Sequence, residues 1–191
     1  MRILGIDPGT GICGFGVIEV KQTGRAKMID NGVIATPPHT PLSERLLDIY
    51  ESMHEIIKLN KPDCVSIEKL FFTKNITTGI SVAEARGVVL LVCKQHELPT
   101  FEYTPNEIKK TMTGYGSADK KQMQEMVKLH LDLTSVPKPD DAADALAIAI
   151  THINSKNGFG GFERGDNITK KLAKLNTDKI KLSDYKKLLN K

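Results

Sequence analysis

The first stretch of patterned sequence is an apolar run, RILGID, that closes on an acid. A run without polar alternation marks a strand covered on both faces, so the pattern predicts a central strand over Arg2–Asp7 with Asp7 at its exposed end. After the turn PGTG, the segments Cys13–Val20 and Lys27–Thr36 are β-rich and flank the turn-like QTGR, which predicts a meander of three antiparallel strands. From Ser43 to Leu59, Leu46, Ile49, Met53 and Ile56 recur at helical spacing, and KPD closes the helix. Cys64–Glu68 is the next strand and again delivers an acid at its end. Thr77–Glu97 reads as a long helix rich in Ala and Val, and Thr100–Tyr103 as a short strand. TPNE then sets a capping box with Pro at the first helical position.

Ser117 is the expected cap of a further helix, in which Met123, Met126, Val127 and His130 are spaced as a buried stripe. After the breaker run VPKP, Asp140–His152 reads as a helix whose Ala and Ile leave room for close packing on the sheet. NGFGG at 157–161 has the composition of a flexible linker, and a Lys-rich segment with a few Leu and Ile follows it. The pattern therefore divides the chain into a folded domain, 1–155, and a Gly-containing linker with a basic tail, 156–191. No internal repeat is evident.

Composition narrows the class. A chain of 191 residues accommodates one domain with a sizeable core and no second full domain. With 40% hydrophobic residues, 5% aromatics and no Trp, that core must be built from Ile, Leu, Val and Ala. Cys13, Cys64 and Cys93 share none of the close spacings of zinc or redox motifs and are expected to be buried thiols. MRILGI is far too short to span a bilayer and has no cleavage-site pattern, so a cytoplasmic protein without membrane association is expected.

The net charge of +4 is unevenly placed. Residues 1–155 hold 17 basic and 19 acidic side chains, and residues 156–191 hold 10 and 4. A body with a slight acidic excess can bind a polyanion only by concentrating its positive charge locally or by neutralising carboxylates with cations.

The carboxylates suggest the second. Asp7 and Glu68 end two strands, and Asp141 and Asp144, at i and i+3, share one helix face. If the strands are neighbours and the helix crosses them, four acids converge, at a cost that a hard divalent ion with oxygen ligands would offset. Two such ions roughly 4 Å apart can activate water and stabilise the leaving oxygen of a phosphodiester. Structural roles compete: Asp7 could start the PGTG turn, and Asp140 is expected to cap its helix. Asp144 and Glu68, set among apolar residues, would be costly without a partner, which favours a site for both.

ILGIDPGTGICGFGVI, SIEKLFFTKN, EARGV, FEYTPNEIKK, GYGSADK and DAADALAIAITH resemble, in order, the motifs of the RuvC family of Holliday junction endonucleases, over about residues 1–155. The resemblance implies an α/β, RNase H-like fold with a mixed five-stranded sheet flanked by helices, acting as a homodimer. It implies Asp7, Glu68, Asp141 and Asp144 as catalytic and metal-binding acids. Two Mg²⁺ ions per site are implied, with Mn²⁺ able to substitute, giving 5′-phosphate products. The implied substrate is four-way junction DNA, cut by paired symmetric nicks in recombination and repair, with RuvA and RuvB as partners. A C₂ dimer suits a two-fold junction, and the helix over Thr77–Glu97 looks like the dimer-forming element.

For DNA contacts, Phe71 and Phe72 are candidates for stacking on unpaired bases, with Lys74 in the same polar loop. Lys109 and Lys120 match positions that contact phosphate, whereas Lys110 and Lys121 read as solvated neighbours. Arg86 is compatible with DNA binding or with bracing the fold. The basic tail departs from the family pattern and reads as solvated, slightly ahead of a DNA-binding role.

Three other readings compete. An RNase H-fold nuclease could act on another nucleic acid, because carboxylates alone do not fix the substrate. DPGTGICGFGVI also resembles the phosphate loop of actin-like and sugar-kinase ATPases, but the second phosphate loop of that architecture is missing. A purely structural DNA binder would leave the acids without use.

Overall fold

The computed structural model describes residues 1–22, 24–70 and 76–155, with the side chains of 76–78 excepted. In chain order the elements are β1 (Arg2–Asp7), β2 (Ile12–Val20), β3 (Ala26–Ala35), α1 (Leu42–Asn60), β4 (Cys64–Glu68), α2 (Ile76–Gln95), β5 (Thr100–Tyr103), α3 (Pro105–Thr113), α4 (Lys120–His130) and α5 (Asp140–Asn154). They form one five-stranded sheet in the order β3-β2-β1-β4-β5. The first three strands make the expected antiparallel meander, and β1–β4 and β4–β5 are parallel.

Strand alternation sorts side chains into two cores. Leu4 and Ile6 of β1, Val17 of β2 and Val65 and Ile67 of β4 pack with Ile49, Met53, Val89 and Val92 of α1 and α2. On the opposite face, Ile3, Ile18 and Cys64 pack with α3, α4 and α5 through Ile108, Met112, Met126, Val127, Leu146 and Ile150. β1 is thus central and covered on both sides, as its unbroken apolar run requires.

The alternation also fixes which way the acids face. Ile3 and Cys64 belong to the α5 face, so Gly5, Asp7, Ser66 and Glu68, at even offsets, belong to it too. Because Ile6 pairs with Ile67 in the parallel register, Asp7 and Glu68 end neighbouring strands side by side.

Glycine lets α5 descend onto this face. Gly5 pairs with Gly16, and Asp7 with Gly14, across β1–β2. A Cβ at Gly5 would lie 2.1 Å from the Ala145 carbonyl oxygen and 2.9 Å from the Ala149 Cβ; one at Gly14 would lie 2.2 Å from the Asp141 carbonyl oxygen. The fully buried Ala145 and Ala149 supply the matching small face on the helix.

Two expectations about helix starts are corrected. Asp119, not Ser117, caps α4. Its side chain accepts from the Gln122 N–H at 2.8 Å, while the Gln122 Oε1 accepts from the Asp119 N–H at 2.9 Å. Ser117 lies in the turn two residues earlier, before the backbone enters the helix. Asp140 does not cap α5: the N-cap is Pro139, no side chain caps the end, and Asp140 is already the first helical residue. Its carboxylate turns sideways to lysines.

The TPNE box forms as read, with Thr104 Oγ1 accepting from the Glu107 N–H at 3.1 Å. Met123, Met126 and Val127 are buried. Cys13, Cys64 and Cys93 are free and buried. Among the described residues no helix is long and apolar enough to cross a membrane.

Candidate active site

At the C-terminal ends of β1 and β4, beneath α5, a cleft of about 220 Å³ is lined by Asp7, Glu68, Asp144, Lys109, Lys120 and Met123, among others. Each acid arrives by a different route: Asp7 and Glu68 from adjacent parallel strands, Asp144 from the second turn of α5. Asp141, one helical turn earlier, lies over Gly14 beside Asp7, although it does not line the cleft. Three predicted acids thus face one cavity, and the fourth adjoins it.

Their electrostatics are those of anions held together against repulsion. Burial pushes the Asp7 carboxyl up to about 8, reinforced by Glu68, Asp144 and Asp141, so at neutral pH Asp7 holds a proton and donates it in a hydrogen bond to Glu68. Glu68 is raised by burial and by Asp144, against the opposing hydrogen bond from Asp7 and the charge of Lys109. Asp144 is raised by burial, partly offset by Lys120.

Lys120 bridges α4 to α5. Its Nζ lies 3.5 Å from the Asp144 Oδ2 and 3.5 Å from the Asp140 Oδ2, while the Lys138 Nζ stands 2.9 Å from the Asp140 Oδ1. Partial burial works against the charge of Lys120, but Asp144 and Asp140 together outweigh it and raise its pKa.

Arg86 braces the fold. Its side chain is only 16% exposed, with Nε donating to the Glu68 carbonyl oxygen at 3.3 Å and a guanidinium nitrogen 2.9 Å from the Glu102 carboxylate. It therefore ties α2 to the ends of β4 and β5. Lys110 and Lys121 are exposed, as expected of solvated neighbours. Phe71, Phe72 and Lys74 lie outside the described residues, as does the tail from 156 onward.

The donor set fits a hard divalent cation in chemistry and charge: it is all carboxylate oxygen, and such an ion would relieve the repulsion among acids that adds to burial in raising Asp7. Among the described residues no three His, Cys, Asp or Glu side chains stand close enough together to hold a metal ion as they are placed. The acids are open, with an ammonium group beside one of them.

The family model for crossover junction endodeoxyribonuclease RuvC matches residues 3–152. The chain belongs to the RuvC family. It is 48% identical over its full length to the RuvC of Fusobacterium nucleatum subsp. nucleatum, covering 100% of both chains. To that of Desulfitobacterium hafniense it is 54% identical, covering 82% of this chain and 94% of the relative. Thermus thermophilus RuvC, solved in complex with a Holliday junction substrate, superposes with a TM-score of 0.77 at 34% identity, covering 82% of this chain and 95% of that one. The RNase H-like fold is therefore that of RuvC, and the chain is a nuclease, a hydrolase of the crossover junction endodeoxyribonuclease family, whose members are metal-dependent in general. This membership decides against the sugar-kinase reading.

The sequence did not reveal the sideways use of Asp140, because its lysine partners come from a separate helix and loop. The close packing of the Asp140–His152 helix on the sheet was read from its Ala and Ile; the matching glycines, Gly14 and Gly16, two apart on one strand face, were not singled out.

Proposed function

We propose that this RuvC-family chain is a Holliday junction resolvase, cutting four-way DNA junctions with paired symmetric nicks in recombination and repair. The observation that carries this reading is the convergence of Asp7, Glu68 and Asp144 on one cleft, with Asp141 adjoining, where burial and the neighbouring acids raise the Asp7 carboxyl. A Thermus relative of the same fold, bound to such a junction, supports the substrate.

In this reading Asp7, Glu68, Asp141 and Asp144 hold two Mg²⁺ ions, with Mn²⁺ able to replace them. Held there, such ions would offset the charge of the acids and supply activation of water and stabilisation of the leaving oxygen. Lys109 and Lys120, on the cleft wall, hold the phosphate being cut, and Arg86 keeps the Glu68 backbone in place. Phe71, Phe72 and Lys74 meet the junction's unpaired bases and backbone.

A homodimer through α2 completes the assembly. Ile80 and Leu91 are 53% and 54% exposed on this helix, and a Cβ at Gly87 would meet nothing within 4 Å. Glycine inside an exposed helix costs roughly 0.5–1 kcal/mol relative to Ala, and it permits another backbone to approach closely. Two copies related by a two-fold axis present one site to each of two opposed strands. Residues 1–155 form the nuclease domain, and 156–191 a linker and basic tail. RuvA and RuvB are the expected partners, in the cytoplasm.

Competition between a four-way junction and a linear duplex of the same sequence tests the substrate. Strong preference for the junction is expected; equal affinity would move the assignment to another nucleic acid.

A further inference from the structure

Asp140 is an acid outside the four-carboxylate site, and it is paired with lysines at the mouth of the cleft. It begins α5, yet it caps nothing. Asp140 and Asp144 are spaced i,i+4 on one helix face, and the Lys120 ammonium stands between them, 3.5 Å from an oxygen of each. The second oxygen of Asp140 is taken by Lys138 at 2.9 Å. Lys120 is thus shared between an acid inside the cleft and one at its rim.

The sharing matters because Asp144 cannot serve two cations equally. An ion held by Asp144 would face the ammonium across a few ångströms, and like charges that close repel one another even in water, and more strongly at lower effective dielectric. As the ion enters, the ammonium must leave Asp144. Asp140 is the other carboxylate it already touches. Lys138 fixes that carboxylate from the far side, so the retained ammonium stays at the mouth of the cleft.

We propose that Asp140 is a positioning residue: it draws Lys120 off Asp144 when a divalent cation binds and keeps its ammonium at the rim, where an incoming DNA phosphate would meet it. The inference rests on the proposed reading of Asp144 as a cation ligand, and it makes Lys120 an exchangeable counterion. Without Asp140, Lys120 has only Asp144 and competes with the cation directly.

The test is a double-mutant cycle on Mn²⁺ binding by the full-length protein without DNA, read by calorimetry, with thermal midpoints recorded to establish that every variant is folded. The proteins are wild type, Asp140→Asn, Lys120→Met, the double variant and Asp140→Glu. Lys120→Met should tighten Mn²⁺ binding. Asp140→Asn should weaken it by about fivefold or more while Lys120 is present and by less than about twofold in the Lys120→Met background, a non-additivity expected of charges in contact. Asp140→Glu should restore the wild-type value.

Equal fold-changes in both backgrounds would overturn the proposal, because Asp140 would then act only as one more negative charge. So would Mn²⁺ binding that stays undetectable in wild type and in Lys120→Met alike, since removing the competitor must uncover the site. Junction cleavage by wild type is independent of these outcomes, so failure of the exchange and failure of the resolvase reading are separable.

Discussion

At the scale of single residues, Asp7 is the side chain under most strain. Its carboxyl sits at about 8 in the folded protein against 3.8 when unperturbed, first because of burial and then because of its acidic neighbours. A pKa raised by folding contributes stability that is complete below the unfolded value and lost as pH rises through the folded one. The buried histidines work in the opposite direction: burial lowers His130 and His152 from 6.5, so their contribution is present above that pH and lost below it. In EDTA, thermal stability should therefore fall as pH climbs from 6.5 to 8, whereas below 6.5 the loss from the histidines is opposed by the continuing gain from Asp7. Asp7→Asn should remove the alkaline decline and raise the melting temperature at pH 8, because the amide keeps the shape without the charge. Thermal scans of both proteins across this range check it, and an unchanged alkaline slope in Asp7→Asn would contradict the assignment of strain to Asp7.

At the scale of elements, the seating of α5 on the sheet decides where Asp141 and Asp144 stand. Gly5→Ala would drive a Cβ into the Ala145 carbonyl and the Ala149 backbone. We expect a loss of about 1–3 kcal/mol from overpacking, together with reduced cleavage as α5 lifts. Full activity in a Gly5→Ala protein of normal stability would show that the close seating is unnecessary. The cap of α4 offers a cleaner contrast: Asp119→Ala should cost about 1 kcal/mol, whereas Ser117→Ala should fall within about 0.5 kcal/mol of wild type. Denaturant midpoints separate the two.

These same elements mark how far the sequence could be read. Arg2–Asp7, Cys64–Glu68 and Thr100–Tyr103 were legible as strands to the residue: the first because a buried strand between turns leaves a nearly unbroken apolar run, the other two because short β-rich segments follow helix-ending signals. The four acids were legible because strand ends and i,i+3 spacing are local signals. The start of α4 was misplaced because Ser117 and Asp119 are both good caps, and only the backbone path selects one. Asp140 was misread for a related reason. A carboxylate near a helix start favours capping by default; Lys138 reaches it from two residues earlier in the chain, and Lys120 is brought to it by tertiary packing. Arg86 stayed ambiguous for want of Glu102, a partner on another strand.

At the scale of the whole molecule, a dimer through α2 predicts that Leu91→Glu makes a folded monomer. The new charge would sit on a surface that is exposed in one copy and that the proposed dimer would bury. Sedimentation should then report half the wild-type mass, and paired cutting should give way to single nicks. A Leu91→Glu protein that remains dimeric would move the interface elsewhere. The excess of basic residues beyond 156 belongs to a tail that we expect to be dispensable: deleting it should leave junction affinity and its salt dependence unchanged, as binding titrations at several salt concentrations would reveal.

The central claim, divalent-ion-dependent cutting of branched DNA by the carboxylate cluster, is tested most directly by one gel. Wild type and Asp7→Asn are incubated with an immobile four-way junction, in Mg²⁺ and in EDTA, and the strands are separated under denaturing conditions. The account predicts paired, symmetric nicks from wild type in Mg²⁺ alone, and none from an Asp7→Asn protein that still binds the junction. Nicks that persist in EDTA, or in Asp7→Asn, would contradict it.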